Sequence, residues 1–142
     1  MNFTVNHNLS LTSTVSPVHT MNRNGNKISV YGELMGAISE KQIFCPDETF
    51  DSICKIFSDP SLLNKFLRTL IGKCYIVLES AKQMTFFSSP STPGLFYTRL
   101  ENQIILSEDE SYIYKYADLE KLDEMEEYPS KFSVFAAAIV RA

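Results

Sequence analysis

The sequence predicts an α+β domain in which helices are layered on antiparallel sheets. Three observations carry that reading. Apolar residues alternate at period two near the N-terminus, and short aromatic or β-branched runs return between residues 74 and 107, as strands require. Two consecutive segments between Asp47 and Gly72 place apolar residues at the helical spacing i, i+3, i+4, i+7. Short turns, not long crossovers, join the later strands, so neighbours run antiparallel.

In chain order, Phe3 and Val5, then Leu9 and Leu11, recur at period two around the polar His7. Asn24-Gly25 is a hairpin signal because both residues tolerate φ > 0. KISVYGEL returns as a strand with Ile28 and Val30 on one face, and Gly32 and Gly36 mark turns or close backbone approach. A helix opens at Pro46-Asp47, with Asp47 as its expected N-cap and Phe50, Ile53, Cys54 and Phe57 on its apolar face. Asp59 caps a second helix with Pro60 at its first position. Leu62, Leu63, Phe66, Leu67, Leu70 and Ile71 keep the helical period, and Gly72 is read as its left-handed C-terminal residue. KCYIVLES is then a strand buried on both faces, paired through SAKQ with MTFFSS. LFYTRL and QIILSE form another hairpin across Glu101-Asn102. DLEKLDEMEEY reads as an acidic helix and SVFAAAIV as a last strand.

The 142 residues fit one domain, and 44% hydrophobic with 21% charged residues is the balance of a globular chain. A net charge of −4 and thirteen scattered Lys and Arg leave no basic face for phosphates, so nucleic acid is not an expected partner. Apolar runs are short, so no membrane partner is expected, and the N-terminus lacks a signal-peptide pattern; the expected location is cytoplasmic. Cys45, Cys54 and Cys74 are odd in number without CxxC spacing, which suggests neither a zinc site nor a disulfide framework. Cys54 and Cys74 read as small core residues, and His7 and His19 have no partner at metal-ligand spacing.

A search for chemistry by residue type assigns no catalytic residue and no metal ligand. Glu108, Asp109 and Glu110 read as a solvated strand end. Ser88, Ser89 and Ser91 have no evident base, so turn chemistry accounts for them. Lys73 reads as a surface lysine at a strand end, and no phosphate-cradling glycine motif or nucleophile elbow occurs.

The order of segments nevertheless resembles a known family. Tyr31-Gly32-Glu33-Leu34, the run Phe66 to Glu79, the stretch Ser88 to Tyr97, and Leu106-Ser107-Glu108 follow the order and spacing of four motifs, NGEIYN, FLxxLxGxFAFxLYD, RDxxGxxPLYY and a strand ending in SSE. These belong to the N-terminal glutaminase domain of asparagine synthetase-like proteins, a class II glutamine amidotransferase. The similarity spans roughly residues 28 to 142, and the terminal SVFAAAIVRA is similar to the segment leading toward a synthetase domain. The resemblance implies an Ntn-hydrolase-like αββα sandwich with antiparallel sheets over residues 1–142.

The departures imply the function. An active member carries Cys at position 2, whose own α-amine activates the thiol; here the residue is Asn2. The glutamine-binding Arg has no counterpart, since Arg23 stands in a turn context. Tyr31 replaces the oxyanion-type Asn, Thr69 replaces the Asp that holds the substrate amine, and Ser88-Ser89 replace the Arg-Asp pair. Nucleophile, oxyanion donor and clamps are missing together, which implies no glutamine hydrolysis. Such a degenerate domain is similar to the N-terminal part of lasso-peptide cyclases, asparagine synthetase homologues that close a macrolactam by ATP-dependent adenylation of a carboxylate.

The resemblance therefore implies the glutaminase-inactive N-terminal part of a longer or split amide ligase. Its partner would be an ATP-pyrophosphatase synthetase domain, in cis or in trans, and a precursor peptide is a further candidate. No cofactor is expected in this domain; ATP and Mg2+ would belong to the synthetase domain. Two alternatives stand beside this: a free-standing, non-catalytic binding or regulatory module, and a glutamine-hydrolysing enzyme of the asparagine synthetase type with an unrecognised nucleophile. Motif position puts Gly32, Glu33 and Ser107 in the lining of any vestigial substrate pocket. The loop FFSSPSTPGLFYTR is read as a hairpin kept for packing, with the charged pair removed.

Overall fold

Four consecutive buried residues, Cys74 to Val77, decide the architecture, because successive side chains of a strand point to opposite faces. Cys74 and Ile76 face one core while Tyr75 and Val77 face another. The strand that carries them must lie in a middle layer, as the both-faces-buried reading of KCYIVLES requires.

The computed structural model describes residues 1–116, 130–131 and 138–141. Its strands are β1 (Asn2–Asn6), β2 (Leu11–Ser13), β3 (His19–Arg23), β4 (Asn26–Ser39), β5 (Gln42–Phe44), β6 (Leu70–Glu79), β7 (Gln83–Ser88), β8 (Phe96–Arg99), β9 (Gln103–Ser107), β10 (Ser130–Lys131) and β11 (Ala138–Arg141). The helices are α1 (Pro46–Ile56), α2 (Pro60–Leu67) and α3 (Glu110–Tyr114). One sheet runs β10-β8-β9-β1-β2; the other runs β11-β7-β6-β4-β3, with β5 paired to β4. Every pairing is antiparallel, so the α+β class with antiparallel sheets holds.

Helices α1 and α2 cover one face of the second sheet with Phe50, Ile53, Cys54, Leu63 and Leu67 against Ile28, Val30, Leu34, Cys74 and Ile76. Its other face packs on the first sheet through Tyr31, Tyr75, Val77, Met84 and Phe86 against Phe3, Val5 and Leu106. Phe3 is the hinge of this second core, with its ring edge-on to Tyr31, Tyr75 and Phe86 at centroid distances of 5.1, 5.9 and 5.5 Å. Two sheets and one helical layer are thus described. The acidic helix read in DLEKLDEMEEY lies outside the described residues, as do residues 133–137 of SVFAAAIV; the last three residues of that segment, with Arg141, form a strand on β7.

The β3–β4 hairpin turns at Asn24 and Gly25, with φ of 51° and 78°, as their sequence predicts. The β6–β7 and β8–β9 hairpins also stand where expected. Three readings are corrected. Helix α1 is capped at Cys45, with no side-chain bond, because Pro46 fixes the first helical position and places Asp47 inside the first turn. Helix α2 ends at Leu67, so Leu70 and Ile71 belong to β6. Gly72 is consequently a strand residue, not a helix cap. Its φ of +117° serves a close approach: a Cβ there would lie 2.1 Å from the Glu33 carbonyl oxygen. Opposite it, β4 bulges at Met35 and continues to Ser39, well past the segment read as a strand.

Candidate functional site

Asn2 and Ser107 meet at one end of the sandwich because β1 starts there and β9 ends there. In register, Asn2 opposes Ser107. Ser107 is fully buried, and its hydroxyl donates to Asn2 Oδ1 at 2.5 Å while accepting the Asp109 amide at 2.9 Å. The next residue, Glu108, pairs with the Met1 ammonium at 2.8 Å. Across the core, Tyr75 Oη donates to the Pro93 carbonyl at 2.9 Å and lies 3.4 Å from Glu108 Oε2. Burial, followed by the Glu108 carboxylate beside it, pushes the Tyr75 phenol far above its usual range, so it remains a neutral donor at physiological pH.

The loop between β7 and β8 closes the same end. Ser89 and Thr92 are buried, and their hydroxyls are hydrogen-bonded to each other. Ser89 Oγ donates to the Gly72 carbonyl at 2.6 Å, joined there by Ser91 Oγ at 2.8 Å. The Cys74 amide is received by Thr92 Oγ1 at 2.9 Å and by Ser89 Oγ at 3.3 Å. Short hydroxyls thereby satisfy the backbone of β6 where β7 diverges from it, which is why the loop is built from small uncharged residues. Turn chemistry accounts for Ser89 and Ser91, as read, but the burial of Ser89 and Thr92 was not legible from composition.

The three residues read as pocket lining stand on two sheets, Gly32 and Glu33 on β4 and Ser107 on β9. Gly32 lies beside Cys74, at φ +103°, where a Cβ would meet the Lys73 carbonyl oxygen at 2.4 Å. Glu33 is exposed and opposes Lys73 in register. Ser107 is on the other sheet, committed to Asn2. Tyr75, within the run Phe66 to Glu79 but assigned no role there from sequence, links the sheets at this end through Glu108.

None of this supplies an activated nucleophile. Burial lifts the Cys74 thiol to about 11, and burial also raises Cys54, so both stay protonated near neutrality, where a thiolate is the reactive form. Cys45 is exposed. The acids read as a solvated strand end have defined partners: Asp109 caps α3 through the Ser111 amide at 3.0 Å, and Tyr114 Oη donates to Glu110 at 3.0 Å. Among the described residues no group of three His, Cys, Asp or Glu could hold a metal ion, and no helix is long and apolar enough to cross a membrane.

A cavity of about 450 Å³ opens at the far end of the first sheet, floored by Val5, Leu9 and Ile104 and rimmed by His7, Arg99 and Asn102. It collects no hydroxyl or thiol nucleophile. At the end of β6, Glu79 Oε2 is buried without a hydrogen-bond partner; burial raises its carboxyl, and Lys27, opposite it in register, offsets part of that. Comparison with known protein families, curated proteins and solved structures returned no match.

Proposed function

We propose that this chain is a glutaminase-inactive, class II amidotransferase-like domain of an ATP-dependent amide-forming synthetase, of the kind that resembles lasso-peptide cyclases. The observation that carries the reading is the Asn2–Ser107 pairing. Strand β1 lies beside the strand that ends at Ser107, and a carboxamide stands at position 2, where the resemblance would put a thiol. The neighbouring groups support it: Ser107, Glu108 and Tyr75 already have partners, so none of these three is free to activate a nucleophile. On this reading the fold persists as a packed partner of an adenylating synthetase domain, which would hold ATP and Mg2+, and amide formation draws its amine from the acceptor instead of from glutamine.

Two measurements test the proposal. The coding sequence that continues from this chain, or the adjacent reading frame, should encode an SGGxDS-type ATP-pyrophosphatase domain that co-purifies with it. Its absence from both frames would overturn the reading. Purified chain should release no ammonia from glutamine, and Asn2→Cys with Met1 removed should remain inactive, because Thr69 and Ser88-Ser89 still replace the clamps. Ammonia release by the unaltered chain, lost on changing its cysteines, would favour a hydrolase.

A further inference from the structure

Large apolar side chains are exposed together where β4, β5 and β6 extend past the sandwich. Ile43 is 76% exposed and Met35 59%, with Ile38 and Ile71 also outside the core. Register and alternation put them on one face. Ala37 and Leu70 are partners and both turn toward the helices, so Ile38 and Ile71 turn the other way. Ile43 opposes Ile38 and shares its face, and Met35 is the extra residue of the bulge beside them. This is the side of the second sheet that the first sheet covers further along at Tyr31 and Tyr75.

The patch ends on an open edge. Among the described residues β5 pairs only with β4. The connecting turn is Glu40-Lys41, with φ of 49° and 67°, a two-residue hairpin in which Ser39 and Gln42 flank the loop as the hydrogen-bonded pair. Antiparallel pairs alternate, so the bonds to β4 fall at Gln42 and Phe44, and the amide and carbonyl of Ile43 point away from the sheet. An apolar side chain and an unpaired backbone donor and acceptor thus meet at one residue of an edge strand, the arrangement that templates strand addition.

We propose that this chain self-associates through β5, two copies pairing antiparallel about Ile43. A two-fold axis there lets each Ile43 exchange both backbone bonds with its counterpart, and lays the apolar ribbon of one copy beside that of the other. The charges agree with this occupant. In that register Lys41 of one copy opposes Cys45 of the other and comes toward the first turn of its α1, where Asp47 and Glu48 stand. The patch is on the order of 400 Å² per copy, so a pair buries on the order of 800 Å², below the roughly 1,200–2,000 Å² of stable complexes. The dimer is therefore weak and concentration-dependent.

Sedimentation equilibrium of the whole chain, from about 5 to about 500 µM, tests this across the affinity range such an area allows. The average mass should rise from monomer toward dimer. Ile43→Lys should weaken association at least about tenfold, whereas Leu62→Lys, at an exposed apolar position on α2 away from the patch, should leave it unchanged. Lys41→Glu should also weaken it, and Lys41→Glu combined with Asp47→Lys should restore it. A chain that stays monomeric at the highest concentration overturns the proposal and leaves the edge to an extended peptide of another protein. Equal effects of the Ile43 and Leu62 changes, or a charge exchange that restores nothing, overturn it as well.

Discussion

The loop that closes the site end makes a quantitative claim about redundancy. The buried Cys74 amide has two acceptors, Thr92 Oγ1 at 2.9 Å and Ser89 Oγ at 3.3 Å, and the Gly72 carbonyl has two donors, Ser89 Oγ and Ser91 Oγ. Ser89→Ala therefore removes the hydroxyl's bonds to the Cys74 amide, the Gly72 carbonyl and Thr92, yet orphans neither backbone group, which costs about 1 kcal/mol. Thr92→Val likewise leaves Ser89 for the amide, again at about 1 kcal/mol. The double variant differs in kind, because nothing then receives the Cys74 N–H in an environment without water. An unsatisfied buried donor adds about 1–3 kcal/mol, so the pair should cost about 3–5 kcal/mol instead of about 2. Urea unfolding of the four proteins, followed by far-UV circular dichroism, gives the coupling energy directly. Additivity within about 0.5 kcal/mol would refute the shared-acceptor argument.

Three further perturbations test other parts of the fold. Gly72→Ala combines a strained φ of +117° with a Cβ 2.1 Å from the Glu33 carbonyl oxygen and 2.9 Å from the Met35 amide, so it should lower stability by about 3 kcal/mol or more, read as a fall in Tm. Asp59→Ala removes a cap that receives the Ser61 and Leu62 amides at 3.1 and 3.2 Å and should cost about 1 kcal/mol, whereas Asp47→Ala, which caps nothing, should cost no more than about 0.5. Equal losses would restore Asp47 as a cap. Glu79→Gln should raise Tm at neutral pH, because the folded state holds this carboxyl above its ordinary range. The sign follows from linkage: a raised folded value favours folding below the unfolded value and loses that contribution as pH rises through the folded one. The gain should fade as pH falls below about 4, where the unfolded chain also carries a protonated Glu79. A lower Tm at neutral pH would refute it.

What the sequence revealed divides along the range of the interactions. Asn24-Gly25, the Pro60 start of α2 and the apolar run Cys74 to Val77 are local chemistry, and each stands where its residues imply. Gly72 was misread because a positive φ serves a helix end and a close strand approach equally, and only the Glu33 carbonyl distinguishes them. The β4–β5 turn escaped notice for the opposite reason: Glu40 and Lys41 adopt positive φ without the Asn or Gly that normally signals it. Asn2 and Ser107 are 105 residues apart, and no periodicity connects them. Their adjacency follows from the pairing of β1 with β9, which no local pattern announces.

That adjacency bears on the kind of site this end of the sandwich can be. A pocket that captures glutamine must present charged groups to a zwitterion, and such groups must stay unsatisfied by the protein until the ligand arrives. Here the polar groups are already satisfied by one another. Glu108 receives the Met1 ammonium and faces the Tyr75 phenol, Tyr75 donates to Pro93, and Ser107 is held between Asn2 and the Asp109 amide. The Met1–Glu108, Asn2–Ser107 and Tyr75–Glu108 contacts join β1, β6 and the end of β9, so opening the end to a substrate would remove contacts that fix the two sheets together. On the proposed reading, losing the thiol and its clamps freed these positions from the demands of catalysis. Hydrogen bonds that a working glutaminase would reserve for its substrate could then be spent within the fold.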